Sequence, residues 1–150
     1  MTPGPLRPES IQKRLVEIRA LLDVLQRHTD ATGGELRGDL ERRLVVERAL
    51  QQVVDLAVKV NAHVVTSAGA PPPADYHTSF AAAATAGLID GELAARLAPS
   101  TGLRNRLVHE YDEIDLDIVA GAIGEAVTAY GEYVTTVARW LQTSGGPQPG

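Results

Sequence analysis

Apolar residues recur at alternating steps of four and three along two long stretches, and this rhythm constrains the fold more than any other feature of the chain. The first stretch carries Ile11, Leu15, Ile18, Leu22 and Leu25. The second carries Val46, Leu50, Val53, Ala57, Val60 and Val64. Such spacing puts every member on one side of an α-helix. With 44% hydrophobic but only 4% aromatic residues, the core is expected to be aliphatic. We predict an all-α fold, an antiparallel bundle of four to five main helices.

The second stretch is apolar over most of its circumference, because Val54, Leu56, Val58 and Val65 widen the stripe. A helix of this kind is either the central helix of a bundle or is buried on a second side by another subunit. A homodimer is the economical explanation. A central helix within a monomer fits the periodicity equally well.

Glycines, prolines and capping residues divide the chain. We predict a disordered tail over residues 1–8, a helical domain over residues 9–141 and a flexible tail over residues 142–150. The paired glycines within residues 30–38 predict a loop. The residues expected to begin or cap the later helices are Asp39, Asp75, Asp90, Ser100 or Thr101, and Asp115 or Asp117. Glycines in the last helix indicate either a tightly packed face or a weak helix; they are Gly121, Gly124 and Gly131.

The bulk properties bound the function. The net charge of −5 provides no global basic field, so RNA binding would need a local cluster of cations. The absence of cysteine excludes disulfides and thiolate chemistry. No apolar run approaches the roughly 20 residues of a membrane span, and residues 1–8 lack the apolar segment of a signal peptide. We therefore expect a cytoplasmic protein with no membrane partner.

The densest group of chemically active residues is Arg104-Asn105-Arg106-Leu107-Val108-His109-Glu110-Tyr111. A histidine can transfer protons near neutral pH, and an arginine can bind a phosphate and stabilise charge that develops on it. Asn105 could orient the histidine or hold a phosphate oxygen, and Tyr111 could stack, donate a hydrogen bond or be modified. This set suits RNA cleavage without a metal. A surface cluster of ion pairs and caps is the competing interpretation.

Helical spacing separates the members of this motif. On a regular helix Arg104 and His109 project about 140° apart, whereas Arg104 and Tyr111 nearly eclipse each other. A site that uses both Arg104 and His109 therefore needs a helix that ends near His109, side chains that curl round, or a second subunit facing the same cleft. The other histidines show no metal-ligand spacing, and no phosphate-binding loop is present, so neither a metal nor a cofactor is expected.

The motif is similar to the Arg-x4-His-x-Tyr signature of the HEPN superfamily, in its HepT branch. Flanking segments match in order, including Glu47-Arg48-Ala49-Leu50-Gln51, Val54-Asp55-Leu56-Ala57, Asp75-Tyr76-His77-Thr78-Ser79-Phe80 and Ala86-Gly87-Leu88-Ile89. The resemblance covers roughly residues 11–141. It implies an all-helical homodimer that acts as a ribonuclease toxin on RNA, with Arg104 and His109 catalytic and Asn105 in support.

The same resemblance implies a partner and a form of regulation. The antitoxin of this branch is a minimal nucleotidyltransferase, MntA, which transfers AMP units to the signature tyrosine, here Tyr111. Each AMP would bring a negative charge and bulk beside the cations that hold the RNA phosphate. Two alternatives remain open: a non-catalytic helical partner of such a nucleotidyltransferase, and a free-standing nucleotide-binding bundle.

Overall fold

A computed structural model describes residues 4–145, in which the chain forms seven α-helices and no strand. The helices are α1 (Pro8–Gln26), α2 (Gly33–Gly38), α3 (Leu40–Ser67), α4 (Tyr76–Thr85), α5 (Gly91–Leu97), α6 (Pro99–His109) and α7 (Leu116–Trp140). One π-helical turn, Leu141–Gly145, continues α7. The predicted all-α fold is thus confirmed. Helical structure extends past residue 141, while residues 1–3 and 146–150 of the predicted tails lie outside the described residues.

The long helix α3 is the centre of the bundle. It packs against α1, α4, α6 and α7, and α1 also packs along α7. These neighbours inside one protomer account for its broad apolar circumference, so the central-helix explanation suffices for most of its length. Its N-terminal part differs, because Leu40, Leu44 and Val45 are exposed there.

A small aromatic and polar cluster lies inside the largely aliphatic core. The rings of Phe80, Tyr130 and Tyr133 meet edge to face, with centroids 6.1 to 6.3 Å apart. The Tyr133 hydroxyl lies 2.6 Å from Oδ1 of Asn61, whose amide donates to Oγ of Ser79 at 3.3 Å. All three polar residues are buried, so this chain of hydrogen bonds joins α7, α3 and α4 without leaving a polar group unpaired.

Aspartates begin four of the helices as the sequence predicts. Each accepts a hydrogen bond from a backbone N–H in the first turn of its helix; they are Asp39, Asp75, Asp90 and Asp115. The prediction that Ser100 or Thr101 caps α6 is wrong. Pro99 occupies the first turn instead, and the two hydroxyls donate back to the carbonyls of Leu97 and Ala98 at 2.6 and 2.7 Å.

The predicted loop over residues 30–38 contains the short helix α2. Thr32 and Glu35 form a reciprocal capping box, which also lowers the pKa of the Glu35 carboxyl. Gly33 is required by packing, because a Cβ at this position would collide with the carboxylate of Asp117 at the start of α7. Gly33 thus marks a close contact between α2 and α7, and it lies at the start of α2, seven residues beyond the end of α1.

The glycines of α7 have open space around them. An ideal Cβ on Gly121, Gly124 or Gly131 meets no atom within 4 Å, so none lies on a tightly packed face of this protomer. The helix runs unbroken from Leu116 to Trp140 despite them. Within residues 4–145, no helix is long and apolar enough to cross a membrane.

Candidate functional site

Helix α6 carries the motif and runs antiparallel to α3. Arg104 contacts Asp55 in the middle of α3, whereas the carbonyl of Tyr111 accepts a hydrogen bond of 3.0 Å from Arg43 near the start of α3. The helix ends at His109, and Glu110 leaves helical geometry with φ −134° and ψ 35°. Tyr111 therefore lies in a turn beyond the helix, and the prediction that it eclipses Arg104 is wrong.

Arg104 is held on two sides. Its Nε atom donates a 2.7 Å hydrogen bond to the carboxylate of Asp55, and the side chains of this ion pair are only 18% and 24% exposed. Its guanidinium carbon lies 4.5 Å from the ring centre of Tyr76, the geometry of a cation–π contact. Within residues 4–145, Nη2 has no hydrogen-bond partner, whereas Nη1 has one on Asn105. Arg104 is thus oriented before any substrate arrives.

The surroundings of Arg104 also affect the tyrosine beneath it. Burial raises the pKa of the Tyr76 hydroxyl, and the negative charge of Asp55 raises it further. Tyr76 consequently stays neutral at physiological pH and offers a neutral aromatic face to the guanidinium. Arg104 is therefore held by one charged partner, Asp55, and one uncharged partner, Tyr76.

Asn105 and His109 have different surroundings. Oδ1 of Asn105 accepts a hydrogen bond of 3.3 Å from Nη1 of Arg104, so the amide contacts the arginine and not the histidine. His109 is exposed on the last turn of α6, and among the described residues no hydrogen bond to its imidazole is formed. Tyr111 is 63% exposed. The structure thus joins Arg104 to Asn105 and leaves His109 and Tyr111 open to solvent at the end of the helix.

The helix end at His109 meets one of the conditions that the sequence set for a site within a single chain. Even so, the five-residue spacing keeps Arg104 and His109 on different faces of the same helix, about 140° apart. Arg104 faces α3 and α4, through Asp55 and Tyr76. The protomer therefore holds the arginine firmly and presents the histidine outward.

The two partners of Arg104 were not identified from the sequence. Asp55 is a carboxylate within the largely apolar run from Val53 to Val60, and a charged residue in such a run is a signal that it pairs with something. Tyr76 follows a helix cap and carries no comparable signal. Its role depends on how α4 is placed beside α6, which periodicity does not reveal.

An apolar groove lies beside the motif, between α3, α6 and α7. It encloses about 280 Å³, and its walls include Leu50, Val54, Leu103 and Ala126. Arg104 and Arg106 stand at its edge. Within residues 4–145, no three histidine or acidic side chains lie close enough together to hold a metal ion.

The sequence is similar to those of known proteins. The sequence model of the family described as ribonuclease HepT-like matches residues 16–137. A curated relative, the tRNA nuclease HepT of Aphanizomenon flos-aquae (strain 2012/KM1/D3), is 33% identical over 138 residues, which span 92% of this chain and 94% of the relative.

Solved structures share the fold. A toxin–antitoxin complex with AMP-PNP contains a chain that superposes with a TM-score of 0.78 at 21% identity, over 87% of this chain and 98% of that one. The tri-AMPylated HEPN toxin of Shewanella oneidensis, in complex with its MNT antitoxin, gives a TM-score of 0.76 at 22% identity, over 87% and 97% of the two chains. The helical bundle described above is therefore a HEPN-like fold.

Proposed function

The chain belongs to the HepT-like ribonuclease family, and we propose that it is the toxin of a HepT/MntA-type toxin–antitoxin system. In this proposal it is an endoribonuclease that cleaves RNA, either mRNA or tRNA, in the cytoplasm. The curated relative that acts on tRNA supports this assignment. So does the arrangement of the motif, in which Arg104 is fixed in place and His109 is exposed at the end of the same helix.

We assign phosphate binding to Arg104. Asp55 accepts from Nε and Asn105 accepts one proton of Nη1, so Nη2 and the second proton of Nη1 can donate to the oxygens of a phosphodiester. Because the guanidinium is already oriented, little freedom is lost when negative charge develops on the non-bridging oxygens of the phosphate. Asn105 supports the arginine through its contact with Nη1. The orientation of Arg104 by Asp55 and Tyr76 is the observation on which the proposal depends most.

We assign proton transfer to His109. A neutral imidazole would remove the proton of a ribose 2′-OH, whose oxygen then attacks the adjacent phosphorus and displaces the 5′ oxygen of the next nucleotide. An imidazolium would protonate that leaving oxygen. Such general acid–base catalysis typically contributes about 10² to 10⁴ in rate, and it requires no metal ion.

The site is proposed to be completed by a second protomer. Arg104 and His109 diverge on α6, so a two-fold axis would let the arginine of one chain and the histidine of the other face one phosphate. The apolar groove beside Arg104 and the exposed side chain of Ile118 are surfaces that a partner would cover. A homodimer would also bury the exposed start of α3, where Leu40 and Leu44 project.

Regulation is proposed to act on Tyr111. Its exposed phenol lies beyond the end of α6, where the active site of an MntA-like nucleotidyltransferase could reach it. Transfer of AMP from ATP to the phenol oxygen, with release of pyrophosphate, would leave a phosphodiester charge close to His109. The AMPylated toxin bound to an MNT antitoxin, which shares this fold, supports the idea. The attached AMP would compete with RNA for the same cations.

One experiment tests the ribonuclease. Purified protein is incubated with tRNA and with mRNA in the presence of EDTA, and the products are resolved on a denaturing gel. Cleavage by the wild type and a loss of at least about 100-fold in His109→Ala are expected. Because His109 is exposed, the variant should keep its helical circular dichroism. Equal cleavage by the variant would overturn the role of His109. Absence of cleavage and of growth arrest in the wild type would favour the non-catalytic partner, which the net charge of −5 also suits.

A further inference from the structure

The acidic chain carries a line of cations beside the motif. Arg48, Lys59 and His63 lie on one face of α3, since their spacings of eleven and four residues return to nearly the same direction. Arg14 of α1 and Arg7 just before it face the last of these residues. We call the cations Arg7, Arg14, Arg48 and Lys59, together with the neutral His63, the α1–α3 basic track.

One end of the track is a polar cavity of about 350 Å³ without a carboxylate in its wall. Its polar lining residues are Arg7, Ser10, Arg14, His63, Thr66 and Ser67. The backbone N–H of Arg7 donates to Nε2 of His63 at 2.9 Å, so in neutral His63 the proton is on Nδ1. Burial, and then the charges of Arg14 and Arg7, lower the pKa of His63. The two arginines, with the hydroxyl groups of Ser10, Thr66 and Ser67 around them, suit a phosphate group.

The middle of the track is a second cavity, of about 450 Å³, between α1 and α3. Arg48 and Lys59 line it and are both exposed, and neither forms an ion pair within residues 4–145. Asp55 also lines this cavity, but its charge is offset by Arg104 at 2.7 Å. Glu17 is the acid left over on the α1 side. Cations therefore outnumber unpaired acids in the lining of each of the two cavities.

The length of the track distinguishes a polymer from a small anion. Helical rise puts Lys59 about 6 Å and His63 about 12 Å beyond Asp55, and Arg48 about 10 Å before it. The cations thus lie on both sides of Arg104, over a span of about 22 Å from Arg48 to the arginines that share a cavity with His63. A nucleic acid strand carries a phosphate at every nucleotide, roughly 3.4 Å of helical rise apart. A single small ligand would occupy one cavity and leave the others empty.

We propose that the α1–α3 basic track binds the phosphodiester backbone of the RNA on either side of the bond that Arg104 engages. This inference rests on the proposed ribonuclease function and adds the surface that holds the substrate. Contacts of this kind give affinity and position without reading bases. They also explain how a chain with net charge −5 attracts RNA, because four of its cations line the two cavities along α1 and α3.

The test compares two double charge reversals. Arg14→Glu with Lys59→Glu changes the track, and Arg19→Glu with Arg139→Glu makes the same change in net charge at two exposed arginines outside it. Both variants are first checked for wild-type helical content and melting temperature. Binding of a fluorescein-labelled single-stranded RNA, long enough to cover the track, is then measured by anisotropy between about 50 and 200 mM salt.

We expect the track variant to bind RNA at least tenfold more weakly at the lowest salt. The slope of log K against log salt should become shallower by about 1.4, since two phosphate contacts are lost and each contributes about 0.7 on a single strand. The control should stay within about twofold of the wild type, because its charges lie away from the groove.

Three results separate this inference from the proposed function. If the wild type cleaves RNA and both variants bind RNA equally well, the track is overturned and the ribonuclease stands. If the track variant binds RNA more weakly than the control as expected, but the wild type does not cleave RNA, the inference is supported and the proposed ribonuclease function is overturned. If the track variant loses only its association with the nucleotidyltransferase, the surface belongs to that protein and the inference is overturned.

Discussion

The Nε atom of Arg104 donates a hydrogen bond of 2.7 Å to the carboxylate of Asp55, on a helix 49 residues earlier in the chain. Both side chains are mostly buried, at 18% and 24% exposure, so water screens the pair less than it would a surface ion pair. The contact fixes the direction of the guanidinium, while its Nη2 atom forms no hydrogen bond within the described residues. Asp55 thereby couples the central helix of the bundle to the phosphate-binding end of the proposed site.

Asp55→Asn is predicted to reduce RNA cleavage more than it reduces stability. The amide keeps the shape of the side chain but loses the charge that fixes Arg104, and displacement of a catalytic group by about 1 Å can cost on the order of 10²-fold in rate. We expect kcat to fall by about that amount, with partial recovery in Asp55→Glu. Cleavage of tRNA under single-turnover conditions measures the effect.

Asp23→Asn is the matched control, because it makes the same chemical change at an exposed carboxylate of α1 that forms no ion pair within the described residues. It should cleave like the wild type. If Asp55→Asn also cleaves normally while its melting temperature falls, the ion pair is structural and does not position Arg104.

Tyr76 is predicted to act through its ring and not through its hydroxyl. The guanidinium carbon of Arg104 lies 4.5 Å from the ring centre, and such contacts contribute about 0.5 to 2 kcal/mol. Tyr76→Phe keeps the ring and should cleave RNA within about twofold of the wild type. Tyr76→Leu removes it and should lose from a few-fold up to about 30-fold. Equal rates in the two variants would show that the stacking contact contributes nothing.

The prediction of the fold from the sequence succeeded where a local signal exists. Apolar periodicity placed α1 and α3, and the aspartate caps placed the starts of α3, α4, α5 and α7. It failed at α2, because Gly33 indicates a loop by composition. Glycine is needed at position 33 because of a contact with Asp117, 84 residues later, and no local sequence pattern indicates that contact.

The site divides in the same way. The motif Arg104 to Tyr111 is contiguous, so its members could be chosen by residue type. Their arrangement could not be predicted, because it depends on where α6 stops and on what lies across from it. The helix ends at His109 and frees Tyr111, while Asp55 and Tyr76 come from two other helices. Two residues of the acidic run after the motif have structural roles. Asp115 caps α7, and Asp117 forms an ion pair with Arg37.

Tyr133→Phe is predicted to destabilise the fold by about 1 to 3 kcal/mol, because it leaves Oδ1 of the buried Asn61 without its 2.6 Å partner. Tyr130→Phe is the matched control. The Tyr130 hydroxyl pairs with Ser100, which still donates to the carbonyl of Leu97 when that hydroxyl is absent. Its cost should be smaller, about 0.5 to 1.5 kcal/mol. Urea denaturation of the two variants decides the order, and equal costs would contradict the role of the Asn61 network.

Folding stability is predicted to fall in mild acid because of His63. Burial and the charges of Arg14 and Arg7 lower its pKa in the folded protein below the ordinary value near 6.5. Between these two values the unfolded chain binds a proton that the folded chain does not. The contribution of His63 to the free energy of unfolding is therefore fully present above about pH 6.5, and it is lost as the pH falls through the lower pKa of the folded protein.

Urea denaturation across this range should show a shallower loss of stability in His63→Gln than in the wild type. Arg14→Gln should bring the pKa of His63 closer to its ordinary value, which NMR titration of the imidazole measures directly. An imidazole that titrates at the same pH in Arg14→Gln and in the wild type would contradict the charge effect.

Two glycine substitutions are predicted to have opposite signs. Gly33→Ala should destabilise the fold, because its methyl group meets both the carboxylate and the backbone nitrogen of Asp117, and the contact between α2 and α7 must open. Gly121→Ala should stabilise an isolated protomer by up to about 1 kcal/mol, since alanine favours the helix and nothing lies within 4 Å of its Cβ. Urea denaturation at low protein concentration measures both.

At higher concentration Gly121→Ala also probes the proposed homodimer. If a second protomer covers this face of α7, the added methyl group weakens self-association in analytical ultracentrifugation even as it stabilises the protomer, whereas an uncovered face leaves self-association unchanged.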